Sequence, residues 1–501
     1  MNRKITNNKL VNQLIELGAC VIVPLILMEL YFAVTYKVHL WNIYALATTW
    51  NDDVVYYKQL TGVLKYGCPQ GYFGYNESYA SIGTFGFWGA TVIYIYAFFG
   101  WIFGIQPNTW IWCNVLMLIA AWYIFVKCTK INFIRQIFFW IMFLGMQIPI
   151  GYVFSGMSET LGYAIAIALV GLAYKESKQY SFSNLLFQMI LCSLYTIIRP
   201  YGIAFFVFPL AGIVIHHKYK KMPIFMCIIS VSMIGSLKIS TLFRATYFEN
   251  NFSDTGIHLL FEGKITDGIS YYGKLIVQRI VEILTGIFQE FNTHVGYLAI
   301  TYSIVFILFT LTVICGICSK EKNLFMAVGG CSLLIFMAVL FLIEPYYGKR
   351  YLLMVCVLLL AALILSEHKY ILFTFIGIVI VFLGVKWKEY NYPWTYDREY
   401  DEKMNSYSTM FEEAMPINSQ KEKKWDNTII YDMTIPFNWL YCIPDGMGIQ
   451  FVKKEYLEDT ETELKSKYIM LKPNIMSDYP AVIKGNYKLI ISTDDFEIWS
   501  K

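Results

Sequence analysis

Two adjacent carboxylates, Asp52 and Asp53, follow the first long apolar run of the sequence, and a tyrosine pair ends at Tyr57 one turn later. A carboxylate near a hydroxyl group can act as a general base when its surroundings raise its pKa towards the working pH. Glu77 adds another acid in the same polar segment. The cluster predicts a polar-substrate site with one aspartate as the base. The alternative is a helix start, with Asn51 as the cap and both aspartates complementing the helix dipole.

Four further charged residues, Glu159, Arg199, Lys349 and Arg350, stand at the ends of other apolar runs. An arginine can hold a phosphate through two hydrogen bonds and stabilise the charge that builds on it as a group leaves. We therefore interpret Arg350, Lys349 and Arg199 as candidate phosphate-binding residues, with Glu159 beside them. The simpler alternatives are that Arg199 pairs with Glu159 or with lipid, and that the other three residues extend to the lipid headgroups at helix ends.

Metal and nucleotide motifs have little support in the sequence. Cys315 and Cys318 form a CxxC pair, but neither a second pair nor a nearby histidine accompanies them. The nucleotide patterns GxGxxG and GxxxxGKS/T and the zinc motif HExxH are absent from the sequence. Two neighbouring aspartates allow a divalent cation without requiring one. We therefore predict no certain cofactor and leave the metal unknown.

The composition excludes an ordinary soluble enzyme. The chain has 501 residues, of which 57% are apolar and 15% are charged, whereas soluble domains carry about 25% charged residues. The mean hydropathy is +0.49, and apolar runs of about 20 residues, the length of a membrane span, recur. Residues 1–386 carry 26 Lys and Arg against 16 Asp and Glu, and residues 387–501 carry 14 against 20. We therefore predict a membrane domain in residues 1–386 and an acidic soluble domain in residues 387–501.

Basic clusters between the apolar runs determine the predicted topology, because Lys and Arg concentrate in cytoplasmic loops. Placing the five clusters between residues 127 and 369 inside leaves the run 86–105 on the outer leaflet, as a helix that lies along it. We predict a mainly α, polytopic bundle of about eleven spans with juxtamembrane helices, a cytoplasmic N-terminus and an external C-terminal domain. The predicted spans are 14–36, 110–127, 133–151, 156–175, 184–199, 201–217, 222–243, 297–318, 323–343, 350–366 and 370–386.

The C-terminal region alternates strand-forming and helix-forming segments. The runs Asn427–Tyr431, Tyr468–Leu471 and Tyr487–Ser492 are rich in strand formers, which predicts three strands. Residues 397–413 and 459–467 are compatible with helices. We predict a small α/β domain that handles an acceptor or takes part in a complex.

The aspartate pair in the first external loop, with tyrosines shortly after it, resembles the GT-C superfamily of membrane glycosyltransferases, which use sugars linked to polyprenyl phosphate. The similarity extends to the layout: two juxtamembrane helices near 53–66 and 84–104, seven leading spans, and a large external loop at 244–296. The resemblance implies Asp52 as the catalytic base, with Asp53 or Glu77 in support. It also implies a basic residue on the donor phosphate.

The sequence and the resemblance together predict an inverting glycosyltransferase of the cell membrane. Its donor would be a sugar on polyprenyl phosphate, and its acceptor a hydroxyl of a glycan, lipid or protein at the external face, as in cell-envelope polysaccharide synthesis. No nucleic-acid partner is expected, because the basic residues are spread over short loops. Two alternatives stay open: a non-enzymatic transporter or lipid flippase, and an assembly subunit of an envelope-polysaccharide complex.

Overall fold

The computed structural model describes most of the chain, and the described part before residue 379 is almost entirely helical. The described residues are 2–43, 51–67, 73–77, 91–216, 222–242, 255–293, 296–343, 345–368, 374–378, 398–417 and 424–501. The helices of the first part are α1 (Asn2–Thr35), α2 (Asn51–Tyr66), α3 (Thr91–Phe103), α4 (Pro107–Thr129), α5 (Phe133–Gly145), α6 (Ile148–Val153), α7 (Glu159–Lys178), α8 (Phe182–Ile198), α9 (Val207–Ile215), α10 (Met222–Ser240), α11 (Thr255–Phe261), α12 (Ile265–Thr293), α13 (Tyr297–Cys318), α14 (Lys322–Leu342) and α15 (Pro345–Leu363).

Several helices are apolar enough to cross a membrane, which supports membrane association. Within the described ranges, five helices meet both the length and the hydropathy of a span. The predicted count of about eleven spans is not confirmed, and most of the predicted span 370–386 lies outside the described residues. The five are Leu14–Thr35, Asn108–Thr129, Met222–Ser240, Tyr297–Cys318 and Lys322–Phe341.

Two of the predicted spans are interrupted. The run 133–151 divides into α5 and α6 at Gln147, whose φ is 58°, and Pro149 follows in the first turn of α6. The run 201–217 begins as a 3₁₀ helix over Pro200–Phe206 before α9 starts. Proline lacks a backbone N–H and has a fixed φ, so it favours a helix start over a continuous helix. An unbroken apolar run therefore did not guarantee one unbroken helix.

Helix α7 lies at the centre of the bundle and is buried along most of its length. A Cβ atom built on Gly171 would lie 2.7 Å from Cα of Phe125, so this glycine lets α7 and α4 approach closely. Helix α7 begins at Glu159. Close packing on α4 therefore fixes the position of α7 in the bundle.

The two ends of the bundle are held by different contacts. At one end, the basic end, Lys178 forms an ion pair with Glu321, and Nη1 of Arg135 donates to the carbonyl of Ile364 at 3.3 Å. At the other end, the α2 end, the Tyr152 and Tyr297 hydroxyls lie 3.2 Å apart. Some of the loops that the sequence analysis placed on one side of the membrane thus meet at one end of the bundle. Which end is cytoplasmic stays a prediction.

The C-terminal region contains a six-stranded sheet in the order β1-β3-β2-β4-β6-β5. The four strands from β1 to β4 run parallel, and β5 and β6 pair antiparallel at the other edge. Apolar clusters cover both faces, and helix Arg398–Ala414 packs against one of them. The strands are β1 (Phe73–Tyr75), β2 (Thr428–Asp432), β3 (Gly448–Val452), β4 (Tyr468–Leu471), β5 (Lys488–Ser492) and β6 (Glu497–Ser500).

The predicted small α/β sheet region is present, but it has six strands where three were predicted, and β1, β3 and β6 are the additions. Its three predicted strands correspond to β2, β4 and β5, and the predicted helix at 397–413 is Arg398–Ala414. The predicted helix at 459–467 is wrong, because the Asp459 carboxylate accepts hydrogen bonds from the backbone N–H of Glu461 and the hydroxyl of Thr462 and forms a turn. Strand β1 comes from residues 73–75, so the sheet includes a segment that we predicted to belong to the membrane domain.

Candidate functional site

Helix α2 lies between the helical bundle and the C-terminal domain. Tyr56 faces the bundle, where its ring stacks on that of Trp110 at a centroid distance of 5.9 Å. Tyr57 faces the C-terminal domain, where its ring lies 5.2 Å from that of Tyr441. Consecutive helical residues differ by about 100° in direction, which separates the two tyrosines. Burial, and then the charge of Asp445, raise the pKa of Tyr57, so its hydroxyl stays protonated.

Asp53 packs against the turn that precedes α7. It is only 1% exposed. A Cβ atom built on Gly156 would lie 3.1 Å from the Cβ of Asp53, so a larger residue would push the turn and α2 apart. The side chain of Asp52, the predicted base, lies outside the described residues. The structure thus brings the start of α2 directly onto the turn that leads to Glu159.

This turn is held by polar groups of α4. The buried Asn114 amide donates to the carbonyls of Val153, Ser155 and Met157 at 3.1–3.4 Å. The indole N–H of Trp110 donates to Met157 as well, at 3.3 Å. The sequence analysis did not select Asn114. The sequence did contain a signal for this residue, because Asn114 is a polar residue inside the apolar run 110–127.

Replacing Asn114 with Leu is expected to lower the free energy of unfolding by about 1–3 kcal/mol, because buried carbonyls of the turn lose their donor. Chemical unfolding in detergent micelles, followed by tryptophan fluorescence, measures the change. Asn405→Leu, at an exposed position of helix Arg398–Ala414, is the control and should change the stability little. Equal losses in the two variants would contradict a role for Asn114 in holding the turn.

Two arginines share one carboxylate oxygen at the start of α7. Nη2 of Arg199 lies 3.3 Å from Oε1 of Glu159 and 3.2 Å from the hydroxyl of Ser158. Nε of Arg350 lies 3.1 Å from the same Oε1. The ring of Tyr351 lies beside both guanidinium groups, with centroids 5.8 and 5.6 Å from their Cζ atoms. We call Glu159, Arg199 and Arg350 the arginine cluster, whose formal charge is +1.

The arginine cluster consists of three residues that the sequence analysis named as site candidates. The sequence analysis left open whether Arg199 pairs with Glu159 or with lipid. In the structure Arg199 pairs with Glu159, and both side chains are almost fully buried. Arg350 joins them from the start of α15. Arg199 is buried and Arg350 is partly exposed, at 23%. Guanidinium groups can bind an anion such as a phosphate through two hydrogen bonds, and this cluster holds two of them around one carboxylate.

Lys349 points away from its neighbour in the chain. Its Nζ lies 4.7 Å from the ring centroid of Tyr297, and it interacts electrostatically with Glu290. The Glu290 carboxylate accepts hydrogen bonds from the backbone N–H groups of Leu298 and Ala299 at the start of α13. Lys349 thus flanks the arginine cluster on the side of α12 and α13.

Glu77 is engaged by the C-terminal domain. Its buried carboxylate accepts hydrogen bonds from the backbone N–H groups of Lys465 and Ser466, at 2.8 and 2.6 Å, and from the Tyr456 hydroxyl at 3.2 Å. These three contacts hold the segment after β1 on the C-terminal domain. They give no support to the expectation that Glu77 assists the aspartate pair.

Asp445 links α2 to the C-terminal domain, and the sequence analysis missed it. Its carboxylate accepts hydrogen bonds from Nζ of Lys58 at 3.0 Å and from the Thr61 hydroxyl at 2.7 Å. Burial alone would raise the pKa of Asp445, but the Lys58 charge and these hydrogen bonds hold it below its ordinary value of 3.8. The charged form therefore stabilises the contact.

Asp445→Asn is expected to speed amide exchange in α2, because a hydrogen-bonded ion pair is lost, a change worth about 1.5–3 kcal/mol when buried. Hydrogen–deuterium exchange at residues 58–66 measures this. Because the pKa of Asp445 is lower in the folded state than its ordinary value of 3.8, the charged carboxylate stabilises the folded state above pH 3.8. This stabilisation is lost as the pH falls through the folded-state pKa. The exchange rates of wild type and variant should therefore converge below pH 3.8. Asp459→Asn, at an exposed turn, should leave α2 unchanged.

No metal centre is evident in the described part of the chain, where groups of three or more His, Cys, Asp or Glu side chains that could hold an ion are absent. No model of a known protein family matches the chain, and no curated protein matches it significantly. The function must therefore be argued from the arginine cluster and from the start of α2.

Proposed function

We propose that the protein is an inverting membrane glycosyltransferase that transfers a sugar from polyprenyl phosphate to an acceptor hydroxyl at the external face. The observation that carries the proposal is the arginine cluster, which lies directly after the turn that packs on Asp53. Arg199 and Arg350 bind the donor phosphate, and the aspartate pair serves the acceptor. A donor that is already membrane-bound needs no nucleotide motif.

The proposed reaction has one proton transfer and one substitution. Asp52 takes the proton of the acceptor hydroxyl, and the acceptor oxygen attacks the anomeric carbon. The bond between that carbon and the phosphate oxygen breaks, and the polyprenyl phosphate leaves with the electron pair. Arg199 and Arg350 stabilise the negative charge on the leaving phosphate, where charge-assisted hydrogen bonds are strongest.

We assign different roles to the two aspartates. Asp53 is buried against Gly156, where an acceptor has no room to reach its carboxylate. It is a positioning residue that fixes α2 on the 155–158 turn. Asp52, its neighbour at the start of the same helix, is the general base.

A panel of lipid-linked sugars tests the proposal. The full-length protein in lipid nanodiscs is incubated with polyprenyl-phosphate hexoses and pentoses and with glycan, lipid and peptide acceptors, with and without Mg²⁺. Mass spectrometry should find a new glycoside and an equal amount of released polyprenyl phosphate for one donor. Movement of an intact donor across the bilayer without release would instead favour a transporter. Failure to cleave any donor would leave an assembly subunit as the better reading and overturn the proposal.

A further inference from the structure

Helix α12 has three distinct faces along its 29 residues. One face is buried against the bundle and carries Leu275 and Ile283. A second face is polar and includes Lys274 and Gln278. The third is an apolar strip that the described protein leaves exposed. Its residues include Ile269, Val277, Ile280, Leu284, Phe288 and Phe291, which are between 45% and 68% exposed.

Two contacts fix the direction of α12 relative to the spans. The ring of Tyr272 lies 5.1 Å from that of Phe341, where the span in α14 ends. A Cβ atom built on Gly286 would lie 3.3 Å from Leu298, at the start of the span in α13. These contact points are about 21 Å apart along α12, at 1.5 Å per residue. The start of α13 and the end of α14 lie at the same membrane boundary, because the two helices are consecutive spans that run in opposite directions. Helix α12 contacts both of these ends, so it lies parallel to the membrane plane.

We propose that α12 is an interfacial helix whose apolar strip inserts among the phospholipid acyl chains just below the headgroups. The strip has helical spacing and lies beside a polar face, which is the pattern of helices that lie in a membrane surface. Its position at the ends of α13 and α14 places it at the boundary where two candidate spans meet the membrane surface. The occupant of the strip is therefore the surrounding bilayer.

Insertion depends on apolar area and not on attraction to anionic lipid. The α11–α12 segment, residues 255–293, carries three Lys and Arg residues against four Asp and Glu residues. It therefore has no excess positive charge for an anionic membrane surface. The inserted helix also fixes Glu290, which holds the start of α13 and faces Lys349 beside the arginine cluster.

Spin labels at two positions test the proposal in the full-length protein in phosphatidylcholine nanodiscs, with the reactive cysteines replaced by serine. Leu284→Cys labels the apolar strip, and Gln278→Cys is the matched control on the polar face. We expect the label at 284 to collide more often with oxygen, which concentrates in acyl chains, than with a water-soluble nickel complex. The label at 278 should show the reverse order. Adding anionic lipid should change neither result.

A second pair, Ile280→Cys and Lys274→Cys, repeats the comparison in case one variant folds poorly. Equal access of the nickel complex to both faces would place the strip in water and overturn the proposal. A label at 284 or 280 that is shielded from both reagents would indicate a protein surface on the strip and would also overturn it. Because the readout is membrane depth, it is independent of any glycosyltransferase activity.

Discussion

Glu159→Gln is expected to lower the free energy of unfolding by about 3–5 kcal/mol, the cost of removing one partner of a buried ion pair. Gln has the same shape, so packing is kept while the charge is lost. The Arg199 and Glu159 side chains are only 4% and 6% exposed, so water cannot replace the carboxylate. Arg350 loses the same partner. Unfolding in detergent micelles, followed by circular dichroism, measures the change.

Glu402→Gln is the matched control. Glu402 pairs with Arg398 at 2.8 Å, but the two side chains are 65% and 82% exposed. Exposed pairs of this kind contribute about 0.3–0.5 kcal/mol, so the control should remain close to the wild type. A Glu159→Gln protein as stable as the control would show that the two arginines do not depend on this carboxylate.

Asp52→Asn is expected to reduce sugar transfer by about 10²–10⁴-fold, the usual contribution of a general base. Asn is isosteric and can still accept a hydrogen bond, so the fold and donor binding should be kept. The measurement is the initial rate of polyprenyl-phosphate release with the donor that the panel identifies. Expression and thermal stability should match the wild type.

A helix-dipole effect of Asp52 needs its own control. Asp267 occupies the first turn of α12 and is exposed, so Asp267→Asn removes an acidic group from an equivalent helical position. Such a change costs about 0.3–1 kcal/mol of stability and should leave the transfer rate unaltered. If Asp52→Asn behaves like this control, Asp52 is a helix-start residue and the base must be sought elsewhere.

Local sequence patterns predicted the elements that local interactions determine. Strands β2 and β4 are short runs of strand formers. The pairing of Glu159 with Arg199, which joins residues 40 apart, was one of the alternatives that the sequence left open. The same patterns could not predict β1, which has three residues and exists only because it pairs with β3. They also could not predict the approach of Asp53 to Gly156, because it depends on how α2 sits on the bundle.

The sequence could have separated Lys349 from Arg350, which we named together as candidate phosphate-binding residues. Residues adjacent in a helix point in directions about 100° apart, and the two side chains accordingly reach Tyr297 and Glu159. The break at Gln147 could also have been anticipated, because Pro149 lies two residues later inside the predicted span 133–151.

The contribution of β1 to the C-terminal sheet has a consequence for biosynthesis. Glu77 and its partner Lys465 are 388 residues apart in the chain. A ribosome that adds about 5–20 residues per second needs about 20–80 s to cover that interval. During this time β1 and the Glu77 carboxylate already exist, but the segment that will pack around them has not yet been synthesised. The sheet is therefore complete only after the segment around Lys465 has been synthesised and has packed against the segment around Glu77.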